Sequence, residues 1–216
     1  MTAKERIAQR AARELHTGDV VNLGIGLPNM VVQYLPEEIQ LQFMFDNGAV
    51  GDGYVPEPGQ EDADIQTAGG TPLAMREGAA FFDSSMSFLI NRGGHIDCTI
   101  LGALEVDAEG NLANWSIPGK RYMGMGGAMD LTTGARRVIV VLEHTAQGKP
   151  RILPRCKLPL TAAKQVDLII TELGVFRCEK PGLVLTELAK GATLERVAQF
   201  TPAPYAISPD LLREAY

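Results

Sequence analysis

Short, uninterrupted apolar runs separated by glycine-dense loops constrain this chain more than any other feature. Val138-Ile139-Val140-Val141-Leu142 and Leu168-Ile169-Ile170 are the clearest of them. Runs of this length are far too short to cross a bilayer, and continuous apolar character reads as strands buried within a sheet. Such strands, alternating with helices and glycine loops, predict an α/β fold built on an open sheet flanked by helices.

Ile7, Ala11, Ala12 and Leu15 stand at helical spacing and Gly18 follows them, which predicts an amphipathic helix over residues 3–16. Val20 to Leu23 reads as a strand that enters Gly24-Ile25-Gly26-Leu27-Pro28, where Pro28 suits the start of a helix over 29–35. A strand over 40–45 then opens a long loop holding Gly48, Gly51, Gly53, Pro56, Pro58, Gly59, Gly69, Gly70 and Pro72. Loops of that length in compact domains are functional or disordered. Asp83 is placed to cap a helix that Arg92-Gly93-Gly94 ends. Further strands are predicted over 95–101, 136–142, 151–156, 166–171 and 182–186, with closing helices over 194–200 and 209–215. Neither a repeat nor a linker interrupts residues 1–216, so one domain is expected.

A net charge of -6 with mixed signs argues against a nucleic-acid partner, and no apolar segment suits a membrane. Met1-Thr2-Ala3-Lys4-Glu5-Arg6 begins a charged helix rather than a secretion signal. Cys98, Cys156 and Cys178 are odd in number with no Cys-x-x-Cys pair, which suits reduced thiols in the cytoplasm. No residue is assigned a metal.

The first candidate for chemistry is Asp46, in Phe45-Asp46-Asn47-Gly48. A carboxylate at the end of a buried strand, above a tight turn, is how an open α/β sheet presents a reactive acid. The same residues also make an ordinary turn, because Asn and Gly accept positive φ and Asp caps its neighbours. Gly24-Ile25-Gly26 lies between strand and helix but lacks the third glycine of a dinucleotide fingerprint, so it is either an anion-binding turn or a structural one. Gly124-Met125-Gly126-Gly127 allows close backbone approach to a ligand, as in an oxyanion hole, or a close crossing of chain segments. His16, His95 and His144 are scattered, and no Ser or Cys sits in a setting that marks a nucleophile, so a hydrolase triad is not expected. Asp62 and Asp64 read as a solvated face and Trp115 as core.

Together these segments resemble the B subunit of the 3-oxoacid coenzyme A transferases, from the first helix almost to the end of the chain. The resemblance is carried by Val21 to Pro28, Asn47-Gly48, Arg92 to Asp97, Ala113-Asn114-Trp115, Pro118-Gly119-Lys120, Gly124 to Asp130 and Pro159-Leu160-Thr161. It implies the fold of the glutaconate and 3-oxoacid CoA-transferases, with an open mixed sheet. It also implies coenzyme A thioesters as substrates with no prosthetic group, and a homologous A subunit in a heterotetramer of two A and two B subunits. In that family a glutamate within Ser-Glu-Asn-Gly attacks the acyl-CoA and becomes a CoA thioester, which an acid substrate then collects. By resemblance the glutamate falls on Asp46 and the oxyanion-binding glycine on Gly127, with Asn22, Gly24, Gly26, Asn47, Gly48, Gly124 and Gly126 around the CoA site.

This sequence departs from the motif, with Phe45-Asp46 in place of Ser-Glu, and aspartate is one methylene shorter. Asp46 is expected either to form an aspartyl-CoA thioester or, with a water in the gap, to act as general base in acyl-CoA hydrolysis. A non-catalytic binding subunit is the third alternative. Family members acting on succinyl-CoA tend to carry lysine where Gly70 stands, so acetoacetate and short monocarboxylic acyl groups are expected here.

Overall fold

The computed structural model describes residues 1–122, 124–179 and 182–216. Met123, in the second glycine-dense run, lies outside the described residues.

Numbering only the strands of the main sheet, the chain runs α1 (Ala3–Ala12), β1 (Val20–Leu23), a 3-10 helix (Pro28–Tyr34), β2 (Gln42–Phe45), β3 (Ala49–Gly51) and β4 (Ala80–Phe81). It continues through α2 (Ser84–Arg92), β5 (Cys98–Gly102), α3 (Ala128–Gly134), β6 (Val138–Val141), β7 (Leu168–Ile170) and β8 (Gly174–Glu179). It closes with β9 (Gly182–Leu188), α4 (Leu194–Phe200) and β10 (Tyr205–Leu212).

These strands form one ten-stranded sheet in the order β10-β9-β8-β7-β6-β5-β1-β2-β3-β4. The centre, β2-β1-β5-β6-β7, is parallel. β3 and β4 extend one side antiparallel, and β8 runs antiparallel to both β7 and β9. From β1 the chain steps outward to β2, whereas from β5 it steps the other way to β6 and β7. The order therefore reverses between β1 and β5, and a crevice opens at the carboxyl ends of these strands, where α/β sheets bind ligands.

The apolar runs are buried on both faces, as expected. Val138 and Val140 of β6 join the core that contains Leu131 of α3 and Val197 of α4. Ile139 and Val141 point the other way, into the core under α1 with Ile7 and Ala11. Full burial of each such side chain is worth about 1.5–3 kcal/mol, so a four-residue strand can hold its place without a polar face. α1 begins at a capping box, with Thr2 Oγ1 accepting from Glu5 N–H at 3.2 Å and Glu5 Oε2 accepting from Thr2 N–H at 2.6 Å.

Four expectations are corrected. No helix forms over 209–215: its first part, up to Leu212, continues β10, whose Tyr205, Ala206 and Ile207 pair with Leu183, Val184 and Leu185 of β9 and whose Leu212 pairs with Glu187 after a break in register. Pro209 is compatible with that position because β10 is an edge strand, where a missing N–H costs no ladder bond. β8 has no counterpart among the expected strands, although its pairing with β9 spans Gly174 to Glu179. The strand predicted over 151–156 shrinks to Ile152–Leu153, which pairs with Val106 and Asp107 outside the main sheet. The helix over 29–35 is a 3-10 helix with Pro28 in its first turn.

Candidate active site

β1 pairs with β2 only at Val20–Gln42 and Val21–Phe43 before turning to β5, where Asn22 and Leu23 pair with Thr99 and Ile100. The end of β2 keeps its ladder with β3, where Met44 pairs with Val50 and Phe45 with Ala49, but on the side facing β1 it is held by side chains instead. The buried Asn22 amide donates to the Met44 carbonyl at 2.9 Å, and its oxygen accepts from Thr99 Oγ1 at 3.5 Å. Ser87 of α2, also buried, donates its hydroxyl to the Phe45 carbonyl at 3.3 Å.

β2 then reverses into β3 through Asp46-Asn47-Gly48. Gly48 N–H donates to the Phe45 carbonyl at 3.0 Å, and the Gly48 carbonyl accepts from Phe82 N–H at 3.0 Å. With φ +123 and the Phe82 carbonyl oxygen where a methyl would stand, position 48 accepts only glycine. Asp46 thus projects from a turn held by β1, α2 and the segment before α2.

Gly127 faces it. This buried glycine caps α3 at φ -82, ψ -2, and a Cβ placed on it would lie 2.8 Å from Asp46 Oδ2 and 3.1 Å from Phe88 Cε1. The missing side chain is what lets the carboxylate approach the α3 backbone. Exposed Gly124 (φ +79) and Gly126 (φ +51) lead the chain into this position. Burial lifts the Asp46 carboxyl above the ordinary carboxylate value, opposed by hydrogen bonds from the backbone amides of Asp46 and Asn47.

Exposed Asn47 donates its side-chain amide to the Gln66 carbonyl at 2.8 Å. Gln66 begins a narrow hairpin, bridged to Pro72 and turned by Gly70 N–H donating to the Thr67 carbonyl at 2.9 Å. At its tip, a Cβ on Gly69 would lie 3.4 Å from Ile25 Cγ1. The hairpin therefore spans the turns that follow β1 and β2. Beside Asn47 lies a cavity of about 140 Å³ lined by Gly48, Asp64, Gln66, Leu73 and Phe81.

Gly24 owes its identity to the switch point itself. Its N–H donates to the Ile100 carbonyl at 2.9 Å, and a Cβ would press on that oxygen at 3.3 Å and on Leu101 at 3.2 Å. Gly26, at φ +88, turns the chain into the 3-10 helix. Asp46, Gly127, Asn47, Gly48 and Asn22 therefore meet at the end of β2, whereas Gly24 and Gly26 belong to the neighbouring strand end. The Asn22 amide is engaged by Met44 within the chain.

Sequence reasoning missed Ser87 and Phe88. The only signal was a small polar residue beside an aromatic one in the helix that Asp83 caps. His144 is structural, fully buried between Thr171 Oγ1 and Thr201 Oγ1, each 2.9 Å from a ring nitrogen, with burial depressing its pKa to about 4. A larger cavity of about 300 Å³ lies elsewhere, where Arg10 pairs with Glu187 at 2.6 Å and with Glu14 at 2.7 Å. A half-buried carboxylate against a backbone with no side chain suits nucleophilic attack on an acyl group, with the charge that develops placed near peptide N–H groups.

Residues 4–199 match the family model described as Coenzyme A transferase. The chain is 51% identical over 212 residues to the beta subunit of the acetate CoA-transferase of Escherichia coli strain K12, covering 98% of this chain and 97% of that one. It is 44% identical over 211 residues to the B subunit of the probable succinyl-CoA:3-ketoacid coenzyme A transferase of Bacillus subtilis strain 168, covering 97% and 98%. Among solved structures it is similar to the acyl-CoA transferase YdiF of Escherichia coli O157:H7, with a TM-score of 0.77 at 23% identity. That match covers 98% of this chain but 43% of YdiF, so the chain spans less than half of YdiF's length.

Proposed function

Because the chain belongs to the coenzyme A transferase family, we propose that it is the B subunit of an enzyme moving CoA between a short-chain acyl-CoA and a 3-oxo acid such as acetoacetate, with Asp46 as acyl acceptor. The observation that carries this reading is the 2.8 Å between Asp46 Oδ2 and the place of a Gly127 Cβ. Despite its short side chain, Asp46 reaches the backbone expected to bind the oxyanion, which favours capture of CoA by the carboxylate over activation of water.

The chemistry follows from atom balance. An Asp46 oxygen attacks the thioester carbonyl, the carbon–sulfur bond breaks, and CoA leaves as thiolate, so the first product is a mixed anhydride. The thiolate then adds to the Asp46 carbonyl carbon and expels the acid, leaving an aspartyl-CoA thioester. A second acid runs the same steps in reverse and carries CoA away. Two easier acyl transfers replace one slow exchange. Each addition places negative charge on a carbonyl oxygen, and a preset donor such as Gly127 N–H is worth about 3–4 kcal/mol in comparable sites. Partial desolvation makes the Asp46 carboxylate a better nucleophile, in keeping with the direction of its pKa.

The hairpin over the site supports a monocarboxylic substrate. Its Gly69-Gly70 tip carries no charge and lies against Ile25, so a second carboxylate there would be left unpaired. The elements framing Asp46 also expose Ile25 (70%), Phe81 (59%) and Leu89 (60%), an apolar rim of the kind a partner covers. The reading assigns that rim to a homologous A subunit, in a cytoplasmic heterotetramer of two A and two B subunits. In it the 216 residues of this chain act as one domain, with the CoA held near Gly24, Gly26, Gly124 and Gly126.

Incubating the complex with acetoacetyl-CoA and then borohydride should reduce Asp46 to homoserine, and hydroxylamine should convert it to a hydroxamate, both located by peptide mapping. Steady CoA release without either adduct, and independent of acceptor acid, would identify a hydrolase.

A further inference from the structure

Adjacent residues of α2 touch the two halves of the site. Ser87, 1% exposed, donates to the Phe45 carbonyl, the last peptide group before Asp46. Phe88 packs on the other half, its Cε1 3.1 Å from the place of a Gly127 Cβ. The ends of α2 are anchored to the same two elements. At its start, Phe82 N–H donates to the Gly48 carbonyl at 3.0 Å, and Asp83 Oδ1 caps the helix by accepting from Met86 N–H at 2.8 Å. At its end, Arg92 Nε donates to Asp130 Oδ1 of α3 at 2.6 Å, and a methyl on Gly134 would overlap the Asn91 carbonyl.

α3 thus has glycine at two of the places where α2 lies against it, Gly127 at its cap and Gly134 at its end. Close helix contact of this kind leaves little slack, because well-packed elements resist continuous deformation. A helix is also rigid on the scale of one turn, so a shift of α2 moves Ser87 and Phe88 together and cannot change one contact alone.

We propose that α2 sets the distance between Asp46 and Gly127, and that Ser87 and Phe88 are the positioning residues through which it does so. The inference rests on the assignment of Asp46 as acyl acceptor. Neither side chain reacts; the Ser87 hydroxyl holds the carbonyl that aims Asp46, and the Phe88 ring holds the glycine that receives it.

The test compares Ser87→Ala, Ser87→Thr and Phe88→Leu with the unaltered chain, each assembled with the partner subunit. A misplacement of about 1 Å can cost on the order of a hundredfold, so Ser87→Ala is expected to lower kcat by roughly ten- to a hundredfold. KM for the acyl-CoA should stay within about twofold, because ground-state binding is untouched. Borohydride trapping of Asp46 should slow in parallel, Phe88→Leu should show the same pattern, and Ser87→Thr, which keeps the hydroxyl, should recover most of kcat. Unchanged kcat in both Ser87→Ala and Phe88→Leu would overturn the proposal, as would losses that merely follow the folded fraction on melting. Absence of an Asp46 adduct in the unaltered chain would instead overturn the acyl-acceptor reading and this inference with it.

Discussion

Asp46 is held in a setting that disfavours its own charge. Its folded pKa lies above the ordinary carboxylate value because of burial, so above that folded pKa the native chain carries a desolvated negative charge that the unfolded chain does not. The sign is opposite to that of a salt-bridged carboxylate: the penalty is fully present at neutral pH and is relieved as pH falls through the folded pKa. Asp46→Asn should therefore raise the melting temperature at pH 7 while abolishing transfer, and the difference should shrink in acid; calorimetry at pH 7 and pH 4 measures it. The acid limb of kcat/KM should likewise be shifted upward from the ordinary carboxylate value. Gly127→Ala tests the facing residue. Its φ of -82 suits alanine, so the fold should persist, but the methyl would meet Asp46 Oδ2, and kcat should fall by about a hundredfold, as expected for a group displaced by roughly 1 Å. Asp46 could be singled out from the sequence by its place after an apolar run, whereas Gly127 was one glycine of a run open to two readings and only the family resemblance picked it out. What could not be read was the reason for Gly127, because that reason is a contact with a side chain distant along the chain.

At the scale of elements, legibility tracked how much of each element's stability is local. β1 was legible to the residue and α2 to its cap, because an apolar run or an Asp followed by a helical pattern states its own structure. β10 was not. Pro209, Asp210, Leu211 and Leu212 have the composition of a helix start, but they lie between the residues that pair with β9, Ile207 before them and Leu212 at their end, and this long-range pairing holds the stretch extended. β8 is similar: its apolar triplet Gly174-Val175-Phe176 gives way to Arg177 and Glu179, and its neighbours on both sides decide its conformation. The turn after β6 carries a prediction of its own. Buried His144 is kept neutral with a pKa of about 4 against an unperturbed 6.5, so the unfolded chain takes up a proton first. Stability should be unaffected above about pH 6.5 and fall by about 3 kcal/mol as pH drops to about 4, at 1.36 kcal/mol per unit. Urea unfolding at pH 7 and at pH 4.5 checks this, and His144→Leu should remove that part of the dependence.

The molecule as a whole is organised by the reversal of strand order between β1 and β5. That reversal directs β1 away from the end of β2, leaves the Met44 carbonyl to Asn22, and brings the α2–α3 pair up to the turn that carries Asp46. No local pattern announces it, which is why the family resemblance, rather than strand prediction, was needed to connect Asp46 with Gly127. The exposed apolar rim around the site predicts that the isolated chain is inactive and that adding the A subunit restores transfer, with Leu89→Glu weakening assembly more than it alters the melting temperature of the isolated chain. Size-exclusion chromatography and activity titration would read both. The central claim is that Asp46 itself becomes the CoA thioester, and oxygen exchange tests it most directly. When an acid attacks that thioester, its oxygen becomes the bridge of the anhydride and remains on Asp46 once CoA departs. After a single turnover with acetoacetate labelled with heavy oxygen in its carboxylate, the peptide containing Asp46 should carry one heavy oxygen in that side chain. An unlabelled Asp46, after CoA has demonstrably moved to the labelled acid, would contradict the account.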